Sequence, residues 1–234
     1  LGIPTVSDRI AQMVIKDLLE GRMEQIFHPN SYGYRPGKSA HQALEAVRQN
    51  VRDYAWVIDL DIKGFFDNID HELLMLAVDK HVTEGWMKMY IRRWLSMPVQ
   101  TVSGAIREKA GKGTPQGGVI SPLLANLFLH YVLDKWLDKN HPGVKFVRYA
   151  DDAIIHCRSQ AEAETVLQAL DQRVKSCKLE LHAGKTQIVY CRDYRRKGKY
   201  DKVKFDFLGF SFQPRSKKSK RDGKTFLGYD LAIS

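Results

Sequence analysis

The stretch Phe146–Cys157, which reads FVRYADDAIIHC, decides the fold. Apolar residues on both sides of a short polar turn predict two strands, with Asp151 and Asp152 at the tip of the turn. An acid that lies inside an apolar strand costs several kcal/mol unless it is paired or holds a metal ion. Aspartate is also common in ordinary turns, so this pair taken alone is more often a simple turn than a functional site.

A second acidic strand precedes this pair in the chain, where residues 55–62 read AWVIDLDI. Alternation predicts two faces, with Trp56, Ile58, Leu60 and Ile62 on one and Val57, Asp59 and Asp61 on the other. Asp59 either faces the same site as Asp61 or is solvated at the edge of the sheet. Asp61, Asp151 and Asp152, brought side by side, would bind hard divalent cations through oxygen. Two such ions about 4 Å apart can activate an attacking hydroxyl and steady a leaving pyrophosphate.

Helices separate the predicted strands. Capping residues followed by apolar residues at helical spacing predict helices that begin at Thr5, Ser39, Asp70, Thr83, Ser121 and Ser159. The helix from Ser121 is long and apolar and reaches about Asp138. Further strands are predicted at 179–181, 186–191 and 204–212, and a short hairpin around Ser103-Gly104. The order is mixed α and β without an internal repeat.

The composition is that of a globular protein. The 234 residues are 44% hydrophobic and 27% charged, which suits one large domain or two small ones. The apolar runs are far shorter than the roughly 18 residues of a membrane span, and no secretory signal opens the chain. Three cysteines without a CxxC pair favour a reducing, cytoplasmic location.

The net charge of +10 is concentrated in one part of the chain. Thirteen basic and four acidic residues lie between Arg192 and Lys224. Two basic stretches, 195–202 and 215–224, bracket one predicted strand. A solvated face is one interpretation, but this arrangement is more typical of a surface that follows nucleic-acid phosphates.

Five blocks in order carry a family resemblance: DIKGFFDNIDH (61–71), TPQGGVISPLLANLFL (114–129), YADD (149–152), HAGKT (182–186) and FLGF (207–210). Together they resemble the reverse transcriptases encoded by bacterial group II introns. The opening LGIPTVSDRIAQ and the segment SYGYRPGKSAHQAL (31–44) are similar to that family too. The resemblance implies an α+β fold, the right-hand polymerase palm with an antiparallel sheet and packed helices. It divides the chain into partial fingers (1–54), a palm with interleaved fingers elements (55–212) and a basic segment (213–234) leading toward an absent thumb.

The resemblance also implies roles for single residues. Asp61, Asp151 and Asp152 match the aspartates that hold two Mg²⁺ ions, for which Mn²⁺ can substitute, and the carbonyl of Ile62 is a further ligand. Lys185 matches a lysine that donates a proton to the departing pyrophosphate, although a buried-strand or surface lysine is the alternative. Phe66 matches the bulky residue that excludes a ribose 2′-hydroxyl, with core packing as the alternative for one of Phe65 and Phe66.

Other matches concern the nucleic acid. Gln116 and Gly117 match residues that touch the incoming nucleotide and the template backbone, with a glycine-rich helix entry as the alternative. Phe207, Leu208, Gly209 and Phe210 match the segment that grips the primer end, although Phe207 and Phe210 equally suit an apolar strand. Arg35 is expected to contact template or phosphate. Arg195, Arg196 and Lys197 are expected on the nucleic-acid surface.

The implied function is RNA-directed DNA synthesis, in which a DNA primer is extended on an RNA template with deoxynucleoside triphosphates. The alternatives are an RNA-binding maturase module that assists splicing of group II intron RNA, and a reverse transcriptase of a defence or CRISPR system. Intact aspartates favour the enzyme, because a protein that only binds RNA does not need three costly acids. The chain starts at Leu1, so it is expected to be a piece of a longer protein, and whether the piece alone is active stays open.

Overall fold

A four-stranded antiparallel sheet forms the centre of the molecule, with strand order β4-β5-β1-β6. The computed structural model describes residues 4–100, 103–115, 117–218 and 223–233. The strands are β1 (Trp56–Leu60), β4 (Lys145–Tyr149), β5 (Asp152–Cys157) and β6 (Gln187–Tyr190). β1 is a central strand, and its Ile58 lies opposite Ile155 on one side and Ile188 on the other. The two predicted acidic strands are therefore neighbours in one sheet.

Helices cover both faces of this sheet. They are α1 (Val6–Glu24), α2 (Ala40–Asp53), α3 (Phe65–Asn68), α4 (His71–Asp79), α5 (Gly85–Ser96), α6 (Ser121–Leu129), α7 (Lys135–Asn140) and α8 (Gln160–Ser176). Thr5, Ser39, Asp70 and Ser159 cap their helices through side-chain oxygens, as predicted. Thr83 does not, because α5 starts two residues later with Glu84 at the cap position. None of the helices that the structure describes is long and apolar enough to cross a membrane.

The predicted long helix from Ser121 is not uniform. A π-helical turn, His130–Asp134, separates α6 from α7. Arg173 of α8 donates hydrogen bonds to two carbonyls of this turn, those of Tyr131 (2.9 Å) and Val132 (3.1 Å). The turn contains Asp134, which is completely buried. Such π-helical turns are often found at functional sites, and nothing in a single sequence marks this one.

The two faces of the sheet belong to two apolar clusters. The predicted alternation along β1 is confirmed: Ile58 and Leu60 pack into the larger cluster, which α1 and α4–α8 cover. Val57 packs into the smaller cluster, where α2 contributes Ala43, Leu44, Val47 and Val51. α2 therefore packs against the central sheet, and the division of the chain at residue 54 stays a prediction.

A second sheet joins the smaller cluster. It contains β7 (Phe205–Phe207), β8 (Phe210–Lys218) and β9 (Thr225–Ile233) in that order. β8 and β9 pair from Phe210 opposite Ile233 to Lys218 opposite Thr225. β8 runs across the boundary expected at residue 212, and Tyr229 of β9 returns into the core. The described parts of this region, 213–218 and 223–233, thus pair with each other and pack on the smaller cluster, and the expected lead toward a thumb stays a prediction.

The predicted short hairpin is present as β2 (Val99–Gln100) and β3 (Ile106–Arg107), with Val99 opposite Arg107. The glycine-rich segment that follows docks on α3, where the amide of Thr114 donates to the carbonyl of Phe66 at 2.8 Å. Gly113 has a φ of +86°, and a side chain there would collide with the backbone of Asp67. Glycine is therefore required by this close approach.

Candidate active site

Four acidic side chains and one lysine meet in a cleft at one end of the central sheet. The cleft has a volume of about 330 Å³. Its lining comprises Asp59, Leu60, Asp61, Asp152, Gly184, Lys185, Gln187, Asp206, Phe207 and Leu208. Four of the five sequence blocks that carry the family resemblance contribute to this lining, and they come from distant parts of the chain.

Strand register brings the predicted aspartates together. Leu60, at the end of β1, lies opposite Ala153, near the start of β5. Asp61 follows Leu60 and Asp152 precedes Ala153, so the two carboxylates occupy the same end of an antiparallel pair. Ala150 has a φ of +55°, which turns the chain sharply before Asp151 and Asp152. The structure thus brings Asp61 and Asp152 together in the cleft, and Asp151 directly precedes Asp152 in the turn.

The carboxylates are crowded. Burial, together with the smaller effect of the charges of Asp151 and Asp61, raises the pKa of Asp152 to about 6. Although Asp152 is exposed at the cleft, the surrounding protein excludes enough water to disfavour its charge. The pKa of Asp151 is also raised, chiefly by burial. The cleft therefore holds negative charge that the protein does not fully compensate.

Asp59 is part of this cleft, which excludes a solvated position at a sheet edge. It lies on the central strand β1 and accepts a hydrogen bond from Gln187 Nε2 at 3.1 Å. Burial raises the pKa of Asp59 to about 6 despite this bond. Asp206 on β7 was not anticipated; it accepts a hydrogen bond from Ser211 and also lines the cleft.

Lys185 supplies the positive charge of the cleft. Its ammonium lies 3.2 Å from Asp61 Oδ2, and its side chain is 64% exposed. It belongs to the loop before β6, so the buried-strand alternative is excluded. The same loop is fastened to Asp61, because the amide of His182 donates to the Asp61 carbonyl at 2.9 Å.

Ile62 is buried and forms an isolated antiparallel bridge with Leu181. The backbone bonds on either side of this bridge use Asp61 and Lys63. In such a pair the carbonyl of the middle residue points away from the partner segment. Its assignment as a metal ligand stays a prediction.

The donor set fits a hard divalent cation. Among the residues that the structure describes, no three His, Cys, Asp or Glu side chains converge closely enough to form a complete metal site. The ammonium of Lys185 is the cation that contacts Asp61. Carboxylate oxygens are nevertheless the ligands that Mg²⁺ prefers, and a bound cation would relieve the repulsion that raises the pKa values of Asp151 and Asp152.

The FLGF segment forms a tight hairpin turn beside the acids. Phe207 lies opposite Phe210, and Leu208 and Gly209 both have positive φ values, 52° and 77°. This is the pattern of a two-residue type I′ hairpin. Phe207 is buried in the smaller cluster and Phe210 is half-buried against it, as the apolar-strand alternative expected. Gly209 is exposed at the tip, whereas Leu208 is half-buried against the smaller cluster and reaches the cleft.

Phe65 and Phe66 divide as expected. Phe65 is 2% exposed within the larger cluster, whereas Phe66 is half-buried and contacts Phe65 edge to face at 5.3 Å between ring centres. Phe66 is thus the member of the pair that keeps surface available for a substrate. Gly117 is exposed with a φ of +109°, and Gln116 lies outside the described residues.

Arg35 is a correction. Its side chain is 5% exposed and forms an ion pair with Glu24 at 2.9 Å. It also donates to the carbonyls of His28 (2.6 Å) and Ser31 (2.7 Å). These bonds tie the loop to the end of α1, so the expected contact with template or phosphate is wrong. The neighbouring Tyr34 is exposed.

Arg196 is a second correction, and Arg195 a partial one. Arg196 is 13% exposed and donates to the carbonyls of Val51 (2.6 Å) and Arg52 (2.5 Å), which end α2. Arg195 donates to the Arg52 carbonyl and to Asp193, with about half of its side chain exposed. Both satisfy carbonyls that a helix end leaves without partners. Lys197 is exposed, as expected for a nucleic-acid surface.

Comparison with known proteins gives the same family for nearly the whole chain. The family described as reverse transcriptase (RNA-dependent DNA polymerase) matches residues 1–212. Protein YkfC of Escherichia coli (strain K12) is 30% identical over 230 residues, covering 82% of this chain and 60% of that protein. The group II intron-encoded protein LtrA of Lactococcus lactis subsp. cremoris is 38% identical over 137 residues, covering 58% of this chain and 22% of LtrA. The chain thus spans less than two thirds of the length of these relatives.

Solved structures share the fold. Apo telomerase from Candida tropicalis, truncated from its C-terminal domain, has a TM-score of 0.64 at 12% identity and covers 97% of this chain and 44% of its own. Telomerase from Candida albicans, solved with a fragment of telomeric RNA, has a TM-score of 0.59 at 13% identity, covering 87% and 36%. At this identity the likeness supports the palm and fingers architecture alone.

Proposed function

This chain belongs to the reverse transcriptase (RNA-dependent DNA polymerase) family, and on that premise we propose that it is the part of a group II intron-encoded protein that extends a DNA primer on an RNA template. One observation carries this function: strand register places Asp61 and Asp152 at the same end of neighbouring strands, in a cleft that also contains Lys185. The family generally uses divalent metal ions. Here Mg²⁺, with Mn²⁺ as a substitute, is the ion that the carboxylate donors suit best.

Asp61, Asp151, Asp152 and the carbonyl of Ile62 would hold the metal. Two bound ions would lower the pKa of the primer 3′-hydroxyl and neutralise charge on the leaving pyrophosphate. A bound cation would also serve the binding of substrates. The acidic cleft repels the triphosphate and both nucleic-acid strands, and the positive charge of the cation would reduce that repulsion. Crowding of Asp151 and Asp152 prepares the site to bind cations.

Lys185 would act on the triphosphate. Among the residues that the structure describes, Asp61 is the ion-pair partner of its exposed ammonium, at 3.2 Å, so Lys185 can turn toward a phosphate oxygen when Asp61 binds a cation. An ammonium in this position stabilises the charge that develops on the leaving group and can donate a proton to it.

The walls of the cleft would select and place the other partners. The hairpin tip at Leu208 and Gly209 faces the acids from the second sheet and suits the primer end. On β8 of that sheet, Arg215 and Lys218 are exposed, which suits phosphates of the same strand. Phe66, half-buried beside the core residue Phe65, is suited to exclude a ribose 2′-hydroxyl.

A second function remains specific enough to test, the binding of intron RNA as a splicing cofactor. Nuclear intron maturase 2, mitochondrial, of Arabidopsis thaliana is 28% identical over 199 residues, covering 67% of this chain and 26% of that protein. The basic second sheet would serve this role without chemistry. The buried, free thiols of Cys157, Cys177 and Cys191 support a reducing compartment, and we propose the cytoplasm.

Primer extension separates the two functions. The full-length protein that carries this chain is assayed with an RNA template, a DNA primer and deoxynucleoside triphosphates, beside its Asp61→Asn variant. Extension that is lost in Asp61→Asn supports the polymerase. Binding of Mn²⁺ that vanishes in Asp151→Ala, while intron RNA is still bound, assigns the acids to metal and the basic surface to RNA. A wild-type protein that binds intron RNA but neither extends a primer nor binds Mn²⁺ contradicts the polymerase and leaves the maturase.

A further inference from the structure

A fully buried arginine lies directly behind the acidic turn. Arg148 of β4 is 0% exposed and donates from Nε and Nη2 to the two carboxylate oxygens of Asp134, at 2.7 and 2.6 Å. Its Nη1 donates to Asn126 Oδ1 at 2.9 Å and to the carbonyl of Ala150 at 2.8 Å. One guanidinium thus joins the π-helical turn, α6 and the residue that immediately precedes Asp151.

The carbonyl of Ala150 belongs to the same peptide plane as the amide of Asp151. Ala150 has a φ of +55°, a left-handed conformation that residues other than glycine seldom adopt. A hydrogen bond to this carbonyl sets the orientation of the plane, and with it the direction in which the chain continues to Asp151 and Asp152.

The segment around residues 30–33 contacts the other side of the turn at Ala150. Asn126 Nδ2 donates to the carbonyl of Gly33 at 2.8 Å, and a side chain at Gly33 would collide with the backbone of Ala150. The amide of Arg148 donates to Asn30 at 2.9 Å, and its carbonyl accepts from Tyr32 at 2.8 Å. The same arginine therefore fixes the turn through its side chain and the loop through its backbone.

A buried ion pair is seldom the most stabilising way to fill a core, since apolar residues of similar volume often serve as well. What apolar residues cannot supply is a fork of directed donors. Arg148 uses that fork on two anchors, Asp134 and Asn126, and applies the remaining donor to the strained turn. The network therefore fixes the orientation of the turn at Ala150 rather than adding stability to the fold.

We propose that Arg148 is a positioning residue: by holding the carbonyl of Ala150, it keeps Asp151 and Asp152 aimed into the cleft. This inference rests on the proposed function, because it assigns Arg148 to the metal-binding acids. Residues that orient metal ligands through hydrogen bonds typically change metal affinity by about 10- to 100-fold when they are replaced.

The test compares Arg148→Lys with Arg196→Lys in the chain without nucleic acid. Arg196 is a matched control, because its side chain is also mostly buried and donates to backbone carbonyls. Those carbonyls belong to the last turn of α2 and not to the acidic turn. Mn²⁺ affinity is measured by electron paramagnetic resonance, and hydrogen exchange is measured across residues 149–153. We expect Arg148→Lys to weaken Mn²⁺ binding by about 10-fold or more and to accelerate exchange in this segment. Arg196→Lys is expected to lower the melting temperature and leave Mn²⁺ affinity unchanged.

Each other result is decisive. If wild-type protein binds Mn²⁺ through Asp151 and Arg148→Lys binds it equally well, the positioning role is overturned while the proposed function stands. If wild-type protein shows no Mn²⁺ binding that depends on Asp151, the proposed function fails first. If Arg148→Lys does not fold, Asn126→Ala replaces it, since this variant removes a neutral anchor of the same guanidinium. Unchanged Mn²⁺ affinity in a folded Asn126→Ala protein would also overturn the role.

Discussion

The turn at residues 150–152 separates two groups of charged residues. In one group the charges lack partners of opposite sign among the described residues, and in the other they are fully paired. On the cleft side, Asp151 and Asp152 are crowded acids whose pKa values are raised. On the inner side, Asp134 and Arg148 are both completely buried and form a two-bond ion pair. Asp151 and Asp152, whose negative charge lacks a cationic partner in the part of the chain that the structure describes, thus lie only a few residues along the chain from Arg148, whose charge is already paired with Asp134. Charged side chains without a partner of opposite sign, rather than charged side chains in general, therefore indicate where this molecule is prepared to bind a ligand.

The same criterion sorts the arginines. Arg35, Arg195 and Arg196 were expected on nucleic acid, yet each has internal acceptors. Lys197 and Lys218, by contrast, are exposed. The nucleic-acid surface that we propose therefore includes fewer of the basic residues at 192–224 than the composition alone indicates.

The largest expected effect comes from removing a charge on the cleft side. Asp152→Asn should reduce primer extension by the full-length protein on the order of 10³-fold or more, because a metal ligand becomes neutral. Its stability should not decrease, because burial and the charges of Asp151 and Asp61 disfavour the charged carboxylate that the substitution removes. Asp171→Asn, on the outer face of α8, makes the same change in charge and should leave extension intact. Comparable loss in both variants would contradict the assignment.

The inner side should show the opposite profile. Asp134→Ala leaves the guanidinium of Arg148 buried without its carboxylate, which should lower the free energy of unfolding by about 3–5 kcal/mol in urea. The double variant Asp134→Leu with Arg148→Met should recover most of this stability, because an apolar pair needs no hydration. It should not recover Mn²⁺ affinity. Recovery of both properties would show that the pair serves stability alone.

A change at the substrate wall should affect selectivity without affecting the acids. Phe66→Ala should lower the preference for deoxynucleotides over ribonucleotides by roughly 10- to 100-fold, measured as the ratio of kcat/KM values. Phe65→Leu is the control, since Phe65 is a core residue whose shortening should reduce stability and spare selectivity. Unchanged sugar discrimination in Phe66→Ala would remove this residue from the wall.

The smallest effect concerns an unsatisfied group far from the cleft. His156 on β5 is completely buried, and neither ring nitrogen has a hydrogen-bond partner among the described residues. Burial lowers its pKa to about 3, and the nearby charge of Lys145 acts in the same direction. The unfolded chain takes up a proton below about pH 6.5 and the folded chain does not, so stability is present above that pH and falls as the pH decreases toward 3.

His156→Leu should therefore remove part of the acid sensitivity. Relative to wild type, its free energy of unfolding should rise between pH 6.5 and pH 5 by on the order of 1–2 kcal/mol, measured by urea unfolding at each pH. Primer extension should stay the same, since His156 does not line the cleft. An identical pH dependence in both proteins would show that other groups cause the acid sensitivity.

Much of the site could be predicted because its signals are local. Alternation along residues 55–62 placed Asp61 on the face opposite Ile58, and the turn residues placed Asp151 and Asp152 at a strand end. The chain order of the blocks then indicated the family. For Asp59 the sequence allowed two positions, one in the same site as Asp61 and one in solvent at the edge of the sheet. Alternation gives the face of a strand on which a residue lies, but not whether that strand is central or at an edge.

The sequence by itself determined the acids, the turns that present them and the region where basic residues accumulate. Each of these depends on neighbours within a few positions, where backbone geometry is nearly fixed. Only the tertiary structure decided which charges are free. Arg35 pairs with Glu24 eleven positions away, and Arg196 bonds to the carbonyl of Val51 across 145 positions. Because an arginine in a sequence carries no mark of its partner, the same residue type became an anchor in the core at Arg148 and an exposed cation at Arg215.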